Sequence, residues 1–300
     1  MKNIQKTTLW TALVTPFLSD GRVDYTSLEK LLREQESSGN GILILGSTGE
    51  ALNISETERK EILDFTCEQK LSVPLMAGVG GIQLEETLRW VQHLNSLPLD
   101  AYLTVTPLYA KPGAKGQTHW FAQILDASEK PCVLYNVPGR AAVSLSLEAV
   151  KTLLPHKNFY GIKEASGSPD HFTEYFLAAP QKALYCGDDA LMPEFARRGS
   201  CGLISVASNV WPKETKLYVE KALSQALRPM EEALWADASA SLFESSNPVP
   251  VKRLLEKLGK ISFGKLRPPL CAEDLESTEK QEAANHNVHS WFKDFARKGD

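Results

Sequence analysis

Two stretches decide how this chain folds: Pro131-Cys132-Val133-Leu134-Tyr135-Asn136-Val137 and, after an amphipathic interval, Phe159-Tyr160-Gly161-Ile162-Lys163-Glu164-Ala165. Both are short, β-prone and apolar almost throughout, with little strict alternation. Strands buried on both faces read this way, as in a parallel sheet covered by helices. Six further runs have the same character: TTLWTALVTPF from Thr7, GILILG from Gly41, PLMAGVG from Pro74, AYLTVT from Ala101, ALYCGD from Ala183 and CGLISVAS from Cys201. Helix-like segments separate them, over 24–35, 55–69, 84–97, 116–128, 146–154, 169–178 and 189–197. Ser55 and Glu58 are spaced for a capping box at the second of these. Eight consecutive βα units predict an α/β fold, a (β/α)8 TIM barrel closed by right-handed crossovers. A doubly wound open sheet is the competing arrangement, but it usually has fewer strands.

The eighth run ends near Ser208, and more chain follows than one closing helix requires. Helix-like stretches cover 213–227, 229–243, 250–258 and 274–297, with a break at SFGKLRPPL. The expected organisation is a catalytic barrel over 1–227 and a small C-terminal helical domain over 228–300. Among the 300 residues, 33 Lys and Arg oppose 37 Asp and Glu, a net charge of −4, which leaves no electrostatic footprint for nucleic acid or an anionic membrane. A hydrophobic content of 43% excludes disorder as the dominant state. No run of about 18 apolar residues suggests a membrane span. The N-terminal stretch carries Asp20 and no apolar core followed by a cleavage site, so a mature cytoplasmic protein is expected. The five cysteines form no CxxC and read as free thiols in a reducing cytosol. The histidines form neither HxxxH nor HExxH, and no metal site is expected.

In such a barrel the chemistry lies at the C-terminal ends of the strands. The second run ends in Gly46-Ser47-Thr48-Gly49-Glu50, where two hydroxyls and backbone N–H groups can cradle an anion; an ordinary turn is the plain alternative. The sixth carries Lys163 inside an apolar strand. Desolvation lowers the pKa of such an amine and frees it as a nucleophile for a ketone or aldehyde. The alternatives are a lysine that snorkels to the rim or pairs with Glu164. Tyr135 on the neighbouring fifth run can approach Lys163 and shuttle protons, or be core. Arg140, after Pro138-Gly139, can present its fork to a carboxylate, or be a surface charge. Tyr109 follows the turn at Pro107 and suits either the site or subunit packing.

Taken in order, GSTGE, VTPLY, YNVPGR and GIKEASG, with CGDD, GLISVASNVWP and NPVPVK further on, resemble dihydrodipicolinate synthases of the pyruvate-dependent class I aldolase and N-acetylneuraminate lyase superfamily. The resemblance spans nearly the whole chain. It implies condensation of pyruvate with aspartate semialdehyde in lysine and diaminopimelate biosynthesis, with no metal or organic cofactor. Lys163 would carry the pyruvate imine. Tyr135, Ser47 and Tyr109 would relay protons, with Tyr109 inserted into a neighbouring subunit of a homotetramer built as a dimer of dimers. Thr48 and Ser47, with nearby backbone N–H groups, would hold the pyruvate carboxylate and Arg140 that of the semialdehyde, and Gly187 and Ile204 would line the site with their backbone. A sister aldolase acting on a sialic acid or 2-keto-3-deoxy sugar acid is the nearest alternative, since GSTGE also occurs there and Ser47 replaces the usual Thr of synthases. The Arg in YNVPGR favours the synthase. A non-catalytic keto-acid-binding barrel is the remote one.

One further departure concerns regulation. In lysine-inhibited relatives a polar set that includes His, Asn and Tyr forms the inhibitor pocket. The matching positions here read Glu56, Arg59, Ile82 and Leu108, with only Glu86 kept. Inhibition by lysine is therefore expected to be weak or absent: a steady-state assay with submillimolar lysine should retain its full rate, and a marked loss would contradict this.

Overall fold

Register decides which side chains can meet inside a sheet that closes on itself. The computed structural model describes residues 2 and 4–296. Its strands are β1 (Leu9–Ala12), β2 (Gly41–Ile44), β3 (Leu75–Val79), β4 (Ala101–Val105), β5 (Cys132–Asn136), β6 (Phe159–Glu164), β7 (Ala183–Cys186) and β8 (Gly202–Ser205). All pair in parallel with their sequence neighbours, and β8 returns to β1 to close the barrel. The eight expected runs are these eight strands. In a parallel pair, residues in register share a face. Tyr135 on β5 is in register with Lys163 on β6, which is in register with Tyr185 on β7. Together with Trp10, Leu43, Met76 and Leu103, the two tyrosines belong to the cluster that fills the barrel interior. Lys163 therefore points inward. Glu164, one residue on, points outward, where Asn136 Nδ2 donates to it at 2.6 Å and the Ser166 amide at 2.7 Å. The alternative of a Lys163–Glu164 pair is excluded by this alternation.

Helices cover the outer faces and bury most of the apolar side chains there. The helix Glu56–Glu68 opens with the expected capping box. Ser55 Oγ accepts from the Glu58 amide, and the Glu58 carboxylate accepts from Ser55 N and Oγ. The segment expected as one helix over 189–197 is instead a 3-10 turn, Asp189–Leu191, followed by the helix Met192–Arg197. The Asp189 carboxylate is the physical reason: it accepts from Ser205 Oγ and from the amides of Val206 and Ala207, which ties the first turn to the end of β8. The last helix runs over Glu279–Ala296 rather than from 274, and its expected end at Arg297 lies outside the described residues.

Beyond β8 come helices Pro212–Leu223, Pro229–Ser241 and Val249–Lys257. Trp235 sits at the heart of this part, stacked on Tyr218 at 4.3 Å and edge-on to Trp211 and Trp291. The C-terminal segment also returns to the mouth of the barrel. Lys252, fully buried, donates to Glu50 Oε1 at 2.7 Å and to the Thr15 carbonyl at 2.8 Å. The Arg267 amide donates to the other Glu50 oxygen at 3.0 Å. The Arg267 guanidinium pairs with Glu58 and holds its carboxyl down at about 2. Glu50 has φ 54° and Leu45 has φ 57°, a left-handed conformation that an ordinary side chain adopts only when its surroundings impose it. These bonds at Glu50 thus hold the loop after β2 in shape.

Breaking a buried pair from one side leaves an uncompensated charge and costs about 3–5 kcal/mol. Lys252→Met should therefore shift the urea unfolding midpoint markedly downward. Adding Glu50→Gln should recover part of the loss, because the orphaned carboxylate is gone.

Candidate active site

Lys163 is a cation carried into hydrocarbon: only 4% of its surface is exposed. Desolvation pulls its pKa down to about 8, with Arg140 acting in the same direction. Asp189 and Cys186 act the other way and favour the ammonium. At pH 7 a group with that pKa is neutral in roughly one molecule in ten, several hundred times the fraction of an ordinary lysine. Its Nζ lies 4.4 Å from the centre of the Tyr135 ring, a cation–π distance. Burial lifts the Tyr135 phenol to about 12, while Arg140 and the Ser47 hydroxyl partly offset this by favouring the phenolate. An amine that gives up its proton readily therefore sits against a phenol that keeps its own.

Gly187 follows β7 and lies directly on the lysine. A Cβ there would come within 2.8 Å of Lys163 Cε, 2.6 Å of Ala165 Cβ and 2.9 Å of the Glu164 carbonyl oxygen. The position tolerates no side chain without moving the amine. The sequence placed Gly187 near the site but gave no reason for a glycine; the close approach supplies it.

Tyr135, on whose ring the lysine packs, also lines a cavity of about 440 Å³ whose wall includes Ser47, Arg140 and Tyr109. Four of the eight expected site residues thus share one space, and Lys163 packs on the ring of one of them, Tyr135. Arg140 stands on a short helix, Pro138–Ala141, that begins with proline at the exit of β5. Its Nη2 donates to the Asn247 carbonyl at 3.0 Å, so it is tethered and not a free surface charge. Thr48 is buried below the rim, where its hydroxyl oxygen accepts from Asn247 Nδ2 at 2.9 Å. Tyr109 is 85% exposed on a left-handed backbone (φ 65°), so its ring projects from the rim. Ile204, in register with Trp10, is buried inside the barrel in the same interior cluster as Tyr135 and Tyr185.

Farther out, Arg59 and Leu108 also line the cavity. The Arg59 guanidinium lies 4.7 Å over Trp90, Glu56 pairs with Lys60, and Ile82 is exposed. Two residues of the site escaped a role in the sequence reading. Asp189 was quoted only within CGDD, and Asn247 only within NPVPVK; neither lies in a pattern that names a chemistry.

The barrel and the family it belongs to define a lyase of the class I aldolase type. The chain belongs to the dihydrodipicolinate synthetase family, whose model matches residues 5–287. It is 45% identical over 284 residues to the 4-hydroxy-tetrahydrodipicolinate synthase of Francisella tularensis subsp. novicida, covering 95% of this chain and 96% of that one. The enzyme of the same name from Wolbachia pipientis subsp. Culex pipiens is 43% identical over 289 residues, with 96% and 98% covered. Among solved structures, the chloride-inhibited dihydrodipicolinate synthase of Acinetobacter baumannii, complexed with pyruvate, superposes with a TM-score of 0.88 at 33% identity, covering 94% of this chain and 99% of that one. No helix among the described residues is long and apolar enough to cross a membrane.

The depressed pKa of Lys163 fixes the sign of a pH profile. Only the free amine attacks a carbonyl, so its capture rate should rise about tenfold per unit below pH 8 and level off above it. Rapid-mixing measurements of imine formation across pH 6–10 will test this; a rise that continues to pH 10 would show an ordinary lysine.

Proposed function

We propose that this protein is a 4-hydroxy-tetrahydrodipicolinate synthase that condenses pyruvate with L-aspartate 4-semialdehyde, the step that feeds diaminopimelate and lysine biosynthesis. The observation that carries the reading is the desolvated Lys163 amine packed on the Tyr135 ring inside the barrel. The amine adds to the ketone of pyruvate and, with loss of water, forms a protonated imine. That imine is an electron sink, so the methyl group gives up a proton and becomes an enamine. The enamine carbon attacks the aldehyde of the second substrate, whose oxygen takes up a proton. The amino group of the semialdehyde then displaces Lys163, which closes the ring and restores the free lysine.

Tyr135, Ser47 and Tyr109 act as the proton relay in this reading. The phenol of Tyr135 keeps its proton and lies beside the amine, which suits it to deliver and recover one proton per step. The exposed ring of Tyr109 enters the site of a neighbouring subunit, in a homotetramer arranged as a dimer of dimers. Ser47 and Thr48 hold the pyruvate carboxylate, and Arg140 binds that of the semialdehyde with its charged fork. Gly187 gives the amine its room, and Gly187 and Ile204 line the site with their backbone. The reaction uses no metal or organic cofactor, because the imine itself supplies the electron sink, and the enzyme works in the cytoplasm. The chain divides into a barrel over 1–227 and a helical domain over 228–300, and the latter lends Asn247, Lys252 and Arg267 to the mouth.

Incubation with pyruvate and borohydride should leave one reduced adduct, on Lys163, detectable by mass spectrometry of the digested protein. An unmodified Lys163, under conditions that trap a control aldolase, would defeat the reading. In the same assay Arg140→Ala should still form the pyruvate adduct, while its use of aspartate semialdehyde falls by about two orders of magnitude, the scale of a lost charged contact of roughly 3 kcal/mol.

A further inference from the structure

Asn247 touches the two groups that the proposed reaction assigns to its two substrates, and it does so with different atoms. It lies in the loop between helices Pro229–Ser241 and Val249–Lys257, almost fully buried. Its side-chain Nδ2 donates to Thr48 Oγ1 at 2.9 Å. Its main-chain carbonyl accepts from Arg140 Nη2 at 3.0 Å. Among the described residues its Oδ1 is buried and takes no hydrogen bond, an arrangement that is costly to keep.

The donor–acceptor count gives that arrangement a use. A threonine hydroxyl has one proton to donate and lone pairs to accept with. With Nδ2 occupying a lone pair, the Thr48 proton is left for another acceptor. A carboxylate only accepts. If Oδ1 faced Thr48 instead, it would take that proton, and the hydroxyl would meet an incoming carboxylate with lone pairs.

We propose that Asn247 is a positioning residue: its side-chain amide turns the Thr48 hydroxyl into a donor for the keto-acid carboxylate, and its main-chain carbonyl aims Arg140 at the second substrate. This rests on the reaction proposed above and adds a residue to it. Because the two contacts use side chain and backbone, substitution at 247 separates them.

The test is the pyruvate concentration that half-saturates borohydride trapping at Lys163, measured without the second substrate. Asn247→Ala should raise it about tenfold, the effect of one well-placed hydrogen bond. Asn247→Asp, whose carboxylate can only accept, should raise it at least as much. The KM for aspartate semialdehyde should change less than threefold in Asn247→Ala, because the carbonyl that holds Arg140 remains. In a Thr48→Val background, Asn247→Ala should add less than a twofold effect, since the group it acts through is gone. The proposal is overturned if the folded Asn247→Ala and Asn247→Asp proteins bind pyruvate as the native chain does. It is also overturned if Asn247→Ala weakens both substrates equally and does so undiminished without the Thr48 hydroxyl, which is the mark of a purely structural role. Failure of the native chain to be trapped at all would overturn the underlying reaction, a result distinct from either.

Discussion

Taking water away from one amine is the constraint around which this molecule is organised. A lysine ammonium loses much of its hydration when a strand carries it into an apolar cylinder, and it loses its proton more readily as a result. Position 163 meets that condition because the alternation of β6 turns it inward between Tyr135 and Tyr185. The neighbouring carboxylate, Glu164, is spent on Asn136 and Ser166 on the other face. Glu164 is therefore not available to re-stabilise the ammonium, which is favoured only by the electrostatic pull of Asp189 and Cys186. Lys252 offers a useful contrast. It is as buried and its pKa falls to a similar value of about 8, yet its contacts with Glu50 and the Thr15 carbonyl make it a strut and not a nucleophile. Burial alone does not make a reactive lysine; a vacant direction from which a carbonyl compound can approach is also needed.

The rim shows a second requirement, that the loops at the mouth of the barrel be held still. The turn after β2 departs from comfortable backbone geometry at Leu45 and Glu50. Its shape is maintained by contacts from far along the chain: Lys252 and Arg267 on Glu50, Asn247 on Thr48. Fixing donors before substrate arrives reduces the entropy that binding must overcome. The C-terminal helices therefore serve the site as well as their own tryptophan-rich core.

How much of this could be read from residues alone follows from the range of the forces involved. The barrel was legible because each strand declares its burial locally, through a continuous apolar run, and each helix its start, as Ser55 and Glu58 do. Lys163 was legible for the same reason, as a charge set where its neighbours allow none. Tyr135 required one further step, the adjacency of consecutive strands. Asn247 and Asp189 were not legible as parts of the site. Each acts through partners set by tertiary closure: Thr48 and Arg140 for the first, the end of β8 for the second. Nothing in the residues flanking them encodes those partners.

The route of the chain has a consequence for how the protein is made. A ribosome releases the last barrel strand, ending at Ser205, well before it releases Asn247, Lys252 and Arg267. During that interval the nascent cylinder has its amine but lacks the struts that shape its entrance. Competence to take up a ligand is thus acquired late in synthesis, when the final third of the polypeptide folds back over the opening.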